Sequence, residues 1–335
     1  MPATLKQVAA AAGVSPATVS RVLSQSPRTK PETRRAVLDA MARLDYHPSL
    51  FAQTLRNSRS LSIGILLDRP ITYQWVAETV GALLERIAQA GFAAVVAQTG
   101  VDSAGLEAAL IDMRRRHVEG YCYVGRGRTV DAVRLGSWEV PHVYVYCSSS
   151  DLDGPAFLVD DAQAAALATD HLLDLGHRQM AYVGGPRGIQ TSDRRALGFR
   201  QAMERRGLVL DPALVRAGDW SEEAGYASGF DLIAKRVPFT GVVAGNDFIA
   251  FGIQNALLRL GLKVPDDISV IGIDNHLVAQ LARPRLSTVA QPGRDLGLAA
   301  ADALLAALRR EEPPRTVSTL PASLVVREST GPSRT

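Results

Sequence analysis

The side chains able to do chemistry fall into two sets. The first is concentrated in Ser15–Arg21, SPATVSR, where Ser15, Thr18, Ser20 and Arg21 bring hydroxyl and guanidinium donors while Pro16 and Ala17 bring only apolar surface. Such donors beside apolar surface on one short helix suit entry into a DNA major groove. The second set is scattered, but at a recurring place, the end of an apolar run. Asp68 follows SIGILL, Asn246 and Asp247 follow GVVAG, and Asp274 and Asn275 follow SVIGI. Carboxylates and amides receive and donate hydrogen bonds with direction, which suits a hydroxyl-rich ligand, although any one of them can equally be a loop cap. Tyr73, Trp75 and Trp220 would add flat surfaces against a ring, with core packing as the competing use. Arg195, Arg187, Arg126 and Arg128 add cationic forks near the same run ends. Left uncompensated in one cleft, they would favour a sugar acid or a phosphorylated sugar.

Nothing comparable supports catalysis or a cofactor. The six histidines stand at 47, 117, 142, 171, 177 and 276 without an HExxH or a compact metal-ligand spacing. Asp247 and Asp274 could exchange protons, yet no nucleophile assembly accompanies them. GGPRG lacks the lysine and hydroxyl of a phosphate loop, and there is no GxGxxG at the first α/β turn, so neither a metal nor a cofactor is expected. Cys122 and Cys147 lie in apolar, strand-like segments and read as buried thiols, which favours a reducing cytoplasm. No uncharged apolar run is long enough to span a membrane, and the start carries no signal-peptide core.

Charge separates the two sets. Residues 1–60 hold nine Lys or Arg against Glu32, Asp39 and Asp45, a balance of +6, so the rest must sum to −3 to reach the chain's +3. A basic module on a mildly acidic body is the asymmetry of a nucleic-acid reader with a second task. Small helical bundles also serve as interaction modules, and that reading stays open on pattern alone.

The elements that must position these residues follow from local signals. Leu5, Val8, Ala9 and Ala12 repeat at helical spacing behind Thr4 and Gln7, a capping-box pair. Gly13 ends that helix; Ser15 and Pro16 start a second, with Val19, Val22 and Leu23 turned inward. Neither could persist alone, so a third helix, Pro31–Leu44, must supply a stripe of Val37, Met41 and Leu44. Then HPSLFAQTLRNSR, 47–59, reads as a short helix with little to bury against. Its Leu50, Phe51 and Leu55 beside Arg56 and Arg59 suit a wedge in the minor groove flanked by phosphate contacts. Thr4, Ala52, Leu55 and Arg56 join Ser15, Pro16, Ala17, Thr18, Ser20 and Arg21 as candidate DNA contacts.

From Leu61 the texture alternates. Apolar strands at LSIGILL, AAVVAQ, GYCYV, PHVYVY, QMAYVGG, GVVAG and DDISVIGIDN are separated by helical stretches, one of them a short helix expected over 129–137. The pattern implies two α/β units whose parallel sheets are covered on both faces, with ligands held beyond the carboxyl ends of the strands.

Four stretches make a more specific statement: TLKQVAAAAGVSPATVSRVLSQSPRTKPETRRAVLDAMARLDYHPSLFAQTLR, LLDLGHRQMAYVGGP, NDFIAFGIQNALLRLGLKVPDDISVIGIDN and LSTVAQPGRDLG. From about residue 3 to 328 the chain resembles the LacI/GalR family of bacterial transcriptional regulators. The resemblance implies a helix-turn-helix head over 1–46 and a hinge helix over 47–58, joined to a two-lobed body like a periplasmic binding protein. One lobe would comprise 59–160 and 290–320, the other 161–289 and 321–335. It also implies a homodimer on double-stranded operator DNA, with Pro16, Ala17 and Arg21 at recognition positions and Leu55 in the minor groove. Arg195, Asn246 and Asp274 match the polar ligand set of sugar-responsive members, and Trp220 an aromatic pocket position. Three features depart from the family pattern: Gly293 replaces the pocket aromatic of lactose-type members, Tyr146 stands where they carry aspartate, and DRPITYQW replaces the usual motif after the first strand. The leucine-rich tetramerising tail is absent. The expected function is a repressor of carbohydrate genes released from its operator by a sugar or sugar-acid effector. A corepressor-activated repressor, and a sugar-binding module without a transcriptional role, are the alternatives.

Overall fold

A computed structural model describes residues 3–23, 26, 28–46, 59–100, 103–125, 129–130, 138–149, 153–311 and 316–334. The chain divides into two compact units, Met1–Leu61 and Ser62–Thr335.

In the first unit, α1 (Leu5–Ala11) opens with a complete capping box: Thr4 Oγ1 accepts from the Gln7 amide, and Gln7 Oε1 accepts from the Thr4 amide at 2.8 Å. α2 (Pro16–Leu23) begins with Ser15 Oγ accepting from the Thr18 amide at 3.2 Å. Helices of 7 and 8 residues do not stand unaided, and tertiary packing holds these. Val8, Ala9, Val19 and Val22 are buried against Val37 and Ala40 of α3 (Pro31–Arg43). The expected stripe of Val37, Met41 and Leu44 needs correction. Met41 is half-buried and Leu44 is 37% exposed, because Leu44 is the C-cap residue and the helix stops there. Asp45 then turns through φ 46°, and Tyr46, its amide on Met41 O at 2.9 Å, packs against the core instead.

The second unit holds two six-stranded sheets and a small two-stranded one. In chain order the first lobe begins with β1 (Ser62–Leu67), α4 (Gln74–Gln89), β2 (Ala93–Gln98), α5 (Ser103–Arg115) and β3 (Gly120–Val124). It continues with β4 (Thr129–Val130), β5 (His142–Val145), β6 (Ser148–Ser149) and β7 (Ala156–Val159). The second lobe begins with α6 (Asp161–Asp174), β8 (Met180–Gly184), α7 (Gln190–Arg205), β9 (Val215–Ala217), α8 (Glu222–Ala234) and β10 (Gly241–Ala244). It continues with α9 (Asp247–Arg259), β11 (Ser269–Asp274), α10 (Leu277–Leu281) and β12 (Ser287–Ala290). The chain then returns to the first lobe for α11 (Gly293–Leu308) and β13 (Val317–Leu320), and crosses back for β14 (Ser323–Val325).

The strand order is β13-β7-β5-β3-β1-β2 in one six-stranded sheet and β14-β12-β11-β10-β8-β9 in the other. Every pairing between neighbours in these sheets is parallel except β12 with β14. Parallel strands need crossover helices, and these bury both faces. On the first sheet Val80, Leu83 and Ile87 of α4 and Leu296, Ala300 and Leu304 of α11 cover one face, and Leu106, Leu110 and Met113 of α5 the other. On the second, Leu172 of α6 and Phe199 of α7 lie on one face, and Leu232 of α8 with Ile249 and Ile253 of α9 on the opposite one. The helix expected over 129–137 begins instead as a strand, since Thr129 and Val130 pair with Ser148 and Ser149; 131–137 lie outside the described residues. Neither cysteine forms a disulfide, and both are buried. Among the described residues no helix is long and apolar enough to cross a membrane.

Candidate ligand and DNA sites

Arg195 organises the best-defined polar cluster of the body. It lies in the second turn of α7 and is only 3% exposed, because α7 starts at the carboxyl edge of the second sheet and aims it back across that edge. Its Nε donates to Asp161 Oδ1 at 2.8 Å, and its Nη1 donates to Gly245 O at 2.6 Å and lies 3.1 Å from Asp274 Oδ1. The Trp220 ring sits with its centroid 5.6 Å from the guanidinium carbon. Burial works against the Arg195 charge, but the carboxylates of Asp274 and Asp161 outweigh it and raise its pKa further. The expectation of uncompensated positive charge is therefore corrected at this residue: one cation faces two carboxylates.

Asp274 ends β11 with φ 113°, a left-handed backbone rarely adopted outside glycine. Burial raises its pKa despite Arg195 and the Gln291 amide, which donates to Oδ1. Trp220, at φ 73°, packs over Gly185, where a Cβ would lie 2.2 Å from the ring. Only glycine allows that approach. Asn246 has a structural job as well: its Oδ1 accepts from the Ile249 amide at 2.9 Å as the N-cap of α9, and its Nδ2 donates to Trp220 O at 3.0 Å. The structure thus brings Arg195, Trp220, Asn246 and Asp274 together at one edge. Asp247 turns away from this group. It accepts from Thr288 Oγ1 and the His276 amide, both at 2.6 Å, and burial with nearby Asp274 pushes its carboxyl well above the usual range.

The first lobe contributes an aromatic group. Trp75 is in the first turn of α4, and its ring meets Tyr146 edge-on with centroids 4.6 Å apart. Tyr146 is buried at φ 58°, and its hydroxyl is 3.1 Å from Thr79 Oγ1, which donates to Gly293 O. Burial raises the Tyr146 pKa and Thr79 opposes this, while Glu78, Asp274 and Asp161 add to the rise. Those charges place Tyr146 within electrostatic reach of the second lobe's carboxylates. A Cβ on Gly293 would stand 3.3 Å from the Tyr146 hydroxyl, so the glycine and this tyrosine fill the space jointly. Asp68 is 2% exposed beyond β1, with its amide on Val124 O. Tyr73 is 48% exposed, 6.4 Å from Trp75, with Arg69 over its ring, and does not join the packed group. Arg187 is exposed. Arg126 and Arg128 lie outside the described residues.

The run-end signal that selected Asp68 and Asp274 also exists at FLVDD and points to Asp161, which sequence reasoning passed over. Gln291 and Gln74 had no such signal, because their partners come from distant parts of the chain.

On the head, Ser15, Pro16, Ala17 and Arg21 are exposed, and Thr18 and Ser20 half-buried, along one side of α2. Arg21 Nη2 donates to Thr18 Oγ1 at 3.2 Å, and Ser15 Oγ is 3.0 Å from the same hydroxyl. Thr4 is engaged in its cap. The hinge at 47–58, with Ala52, Leu55 and Arg56, lies outside the described residues.

Residues 4–49 match the model for bacterial regulatory proteins of the lacI family, and residues 169–330 match that for a periplasmic binding protein-like domain. The HTH-type transcriptional regulator DegA of Bacillus subtilis (strain 168) is 32% identical over 340 residues, all of both chains. The chain belongs to the LacI family. As a LacI-family protein it is a DNA-binding transcriptional regulator with an effector-binding body. Among solved structures of the family, the lac repressor dimer bound to operator and the anti-inducer ONPF superposes with a TM-score of 0.87 at 29% identity, covering 99% of this chain and 100% of that one. The complex of the transcriptional regulator CelR with cellobiose superposes at 0.72 and 27% identity, covering 98% and 99%. Among the described residues no group of three or more His, Cys, Asp or Glu is placed to hold a metal ion.

Proposed function

We propose that this LacI-family regulator is a homodimeric, cytoplasmic repressor of carbohydrate genes that acts by binding and not by turnover. A neutral, hydroxyl-rich sugar releases it from its operator. The ligand lies between the lobes, against Asp274, Asn246 and the Trp220 face on one side and Trp75 and Tyr146 on the other. Asp68 and Tyr73 border the same edge of the first lobe, and Arg126 is a further candidate there. The head reads operator bases through Arg21, with Pro16 and Ala17 in apolar contact. Thr4, Ser15, Thr18, Ser20 and Arg56 contact phosphate or fix the register, and Ala52 and Leu55 enter the minor groove.

The observation that carries the ligand reading is the pairing of Arg195 with both Asp161 and Asp274 beneath an aromatic ring. A guanidinium already facing two carboxylates has little charge left for an anion, whereas hydroxyls can exchange hydrogen bonds with all three groups. The CelR structure, which holds cellobiose, supports a neutral sugar by kinship.

Thermal-shift screening of the full chain with neutral mono- and disaccharides, sugar acids and sugar phosphates tests this. A neutral sugar near saturation is expected to raise the midpoint by about 5–10 °C, as occupancy at ~100 times Kd implies. Asp274→Ala should abolish that shift. A response confined to sugar phosphates would overturn the neutral-ligand reading.

A further inference from the structure

Gln74 stands at the first position of α4, in the lobe of the first sheet, and its side chain reaches the other lobe. Its Oε1 accepts from the Leu277 amide at 2.8 Å. Its Nε2 donates to Asn275 O at 3.2 Å and to Glu78 Oε1 at 2.9 Å. Both amide hydrogens and the carbonyl are therefore in use. The two partners across the cleft are main-chain groups on either side of His276, in the loop that leaves β11. Asp274, the last residue of β11, leads into it.

The loop is an unusual one to hold still. Asp274 at φ 113° and Asn275 at φ 52° are both left-handed without being glycine. Such a backbone persists only where its surroundings over-determine it. From the second lobe, Arg195 and Gln291 hold Asp274, Arg327 Nη2 donates to Asn275 Oδ1 at 2.6 Å, and Asp247 accepts the His276 amide. Gln74 supplies the grip from the opposite lobe. Because it grips main-chain atoms, it senses the shape of the loop and not its side chains.

We propose that Gln74 is a positioning residue that ties the Asp274 loop to the facing lobe, making lobe closure and the placement of Asp274 one event. Its regulatory consequence rests on the reading of Asp274 as a ligand contact; the tie itself does not. A ligand that moves Asp274 thereby moves Asn275 and Leu277 against Gln74, and the lobe arrangement responds. The coupling runs through a short covalent path of four residues and does not depend on the ligand spanning the cleft.

The test removes the tie from each side. Gln74→Met keeps the length of the side chain and loses its hydrogen bonds. Leu277→Pro removes the amide hydrogen and shortens a side chain that is 53% exposed: Leu277 is the first residue of α10, where proline is tolerated, and His276 at φ −64°, ψ 156° has the backbone that precedes proline readily. Spin labels at Glu107→Cys in α5 and Lys235→Cys beyond α8, both exposed, report the interlobe distance by pulsed electron resonance. Native Cys122 and Cys147 are buried and do not compete for label. The full chain is used without ligand or DNA, with labelled chains diluted in unlabelled ones.

Each substitution is expected to shift the open-to-closed ratio about tenfold, seen as a second, longer distance, and the double substitution to shift it no further than either alone. An unchanged distribution in both variants overturns the tie, and so does a shift with Gln74→Met that is absent with Leu277→Pro, or a double variant showing the full sum. Neither sugar nor operator enters the measurement, so its failure is distinguishable from failure of the thermal-shift screen.

Discussion

Arg21 lies along its own helix, with Nε 3.4 Å from Ala17 O and Nη2 on Thr18 Oγ1. Those contacts are exposed and weak, so a guanine edge offering two acceptors competes with them easily. Arg21→Ala should cost about 1–3 kcal/mol at one base position of the operator and flatten the preference there. Fluorescence anisotropy against an operator and its single-base variants measures this; a uniform loss on all sequences would assign Arg21 to phosphate. Its position was legible here because everything that places it sits within Ser15–Arg21. At Arg195 only half was legible. An arginine near a strand end could be picked out, but its neutralisation by Asp161 and Asp274 could not, since those partners lie 34 and 79 positions away in sequence. Asp247 shows the opposite error: it carries the same run-end signal as Asp274, yet its carboxyl serves Thr288 and the His276 amide.

The elements repeat that lesson at larger scale. Caps are local chemistry, and the Thr4–Gln7 and Ser15–Thr18 pairs stand where the sequence placed them. Helix ends that depend on a turn are not: Leu44 keeps the apolar period of α3 but falls where the backbone leaves the helix, and Tyr46 replaces it in the core. Strand pairing is less local still, and Thr129–Val130 became a strand only because Ser148–Ser149 lay beside it. The last segment of the chain is tied down in a way no periodicity announces. Ser329 Oγ donates to Val270 O at 2.6 Å, His171 Nε2 is 2.9 Å from Thr330 Oγ1, and His177 Nε2 donates to Gly331 O at 3.0 Å. Burial lowers the pKa of both histidines, more than Asp174 raises the one and the Gly331 bond raises the other. A histidine whose folded pKa is depressed leaves the folded state binding fewer protons than the unfolded one. Its stabilisation is complete above the unfolded value of about 6.5 and is lost as pH falls from there through the folded value. Thermal unfolding followed between pH 8 and pH 5 should show the midpoint falling through this window. A His177→Asn variant, which no longer titrates there, should show a shallower fall; an equal slope would remove His177 from the account.

For the whole molecule, two lobes of one body share three chain crossings, at Val159–Asp161, Ala290–Gly293 and Leu320–Ser323. A hinge of several parallel strands of chain permits one lobe to rotate on the other while resisting separation, and a ligand that favours one arrangement shifts the population. If the sugar found by thermal shift is the effector, its saturation should weaken operator binding by about 5–150-fold, the range of ordinary allosteric coupling. Anisotropy titration with and without the sugar decides it, and equal affinity would separate the binding site from the regulation. The overall architecture was legible because alternating strands and helices impose a parallel sheet whatever their loops do. The meeting of the lobes was not, since it turns on contacts such as Gln74 with Leu277, 203 positions apart.

The crossings also decide when the molecule can exist. Leu296, Ala300 and Leu304 of α11 close the apolar face of the first sheet, although they are translated after all seven strands from β1 to β7. β14 completes the edge of the second sheet later still. Neither half can therefore mature on the ribosome while the other waits: each stays open, with uncovered hydrocarbon, until the closing stretch of translation. A message cut short before α11 would yield two unfinished halves and no intact one.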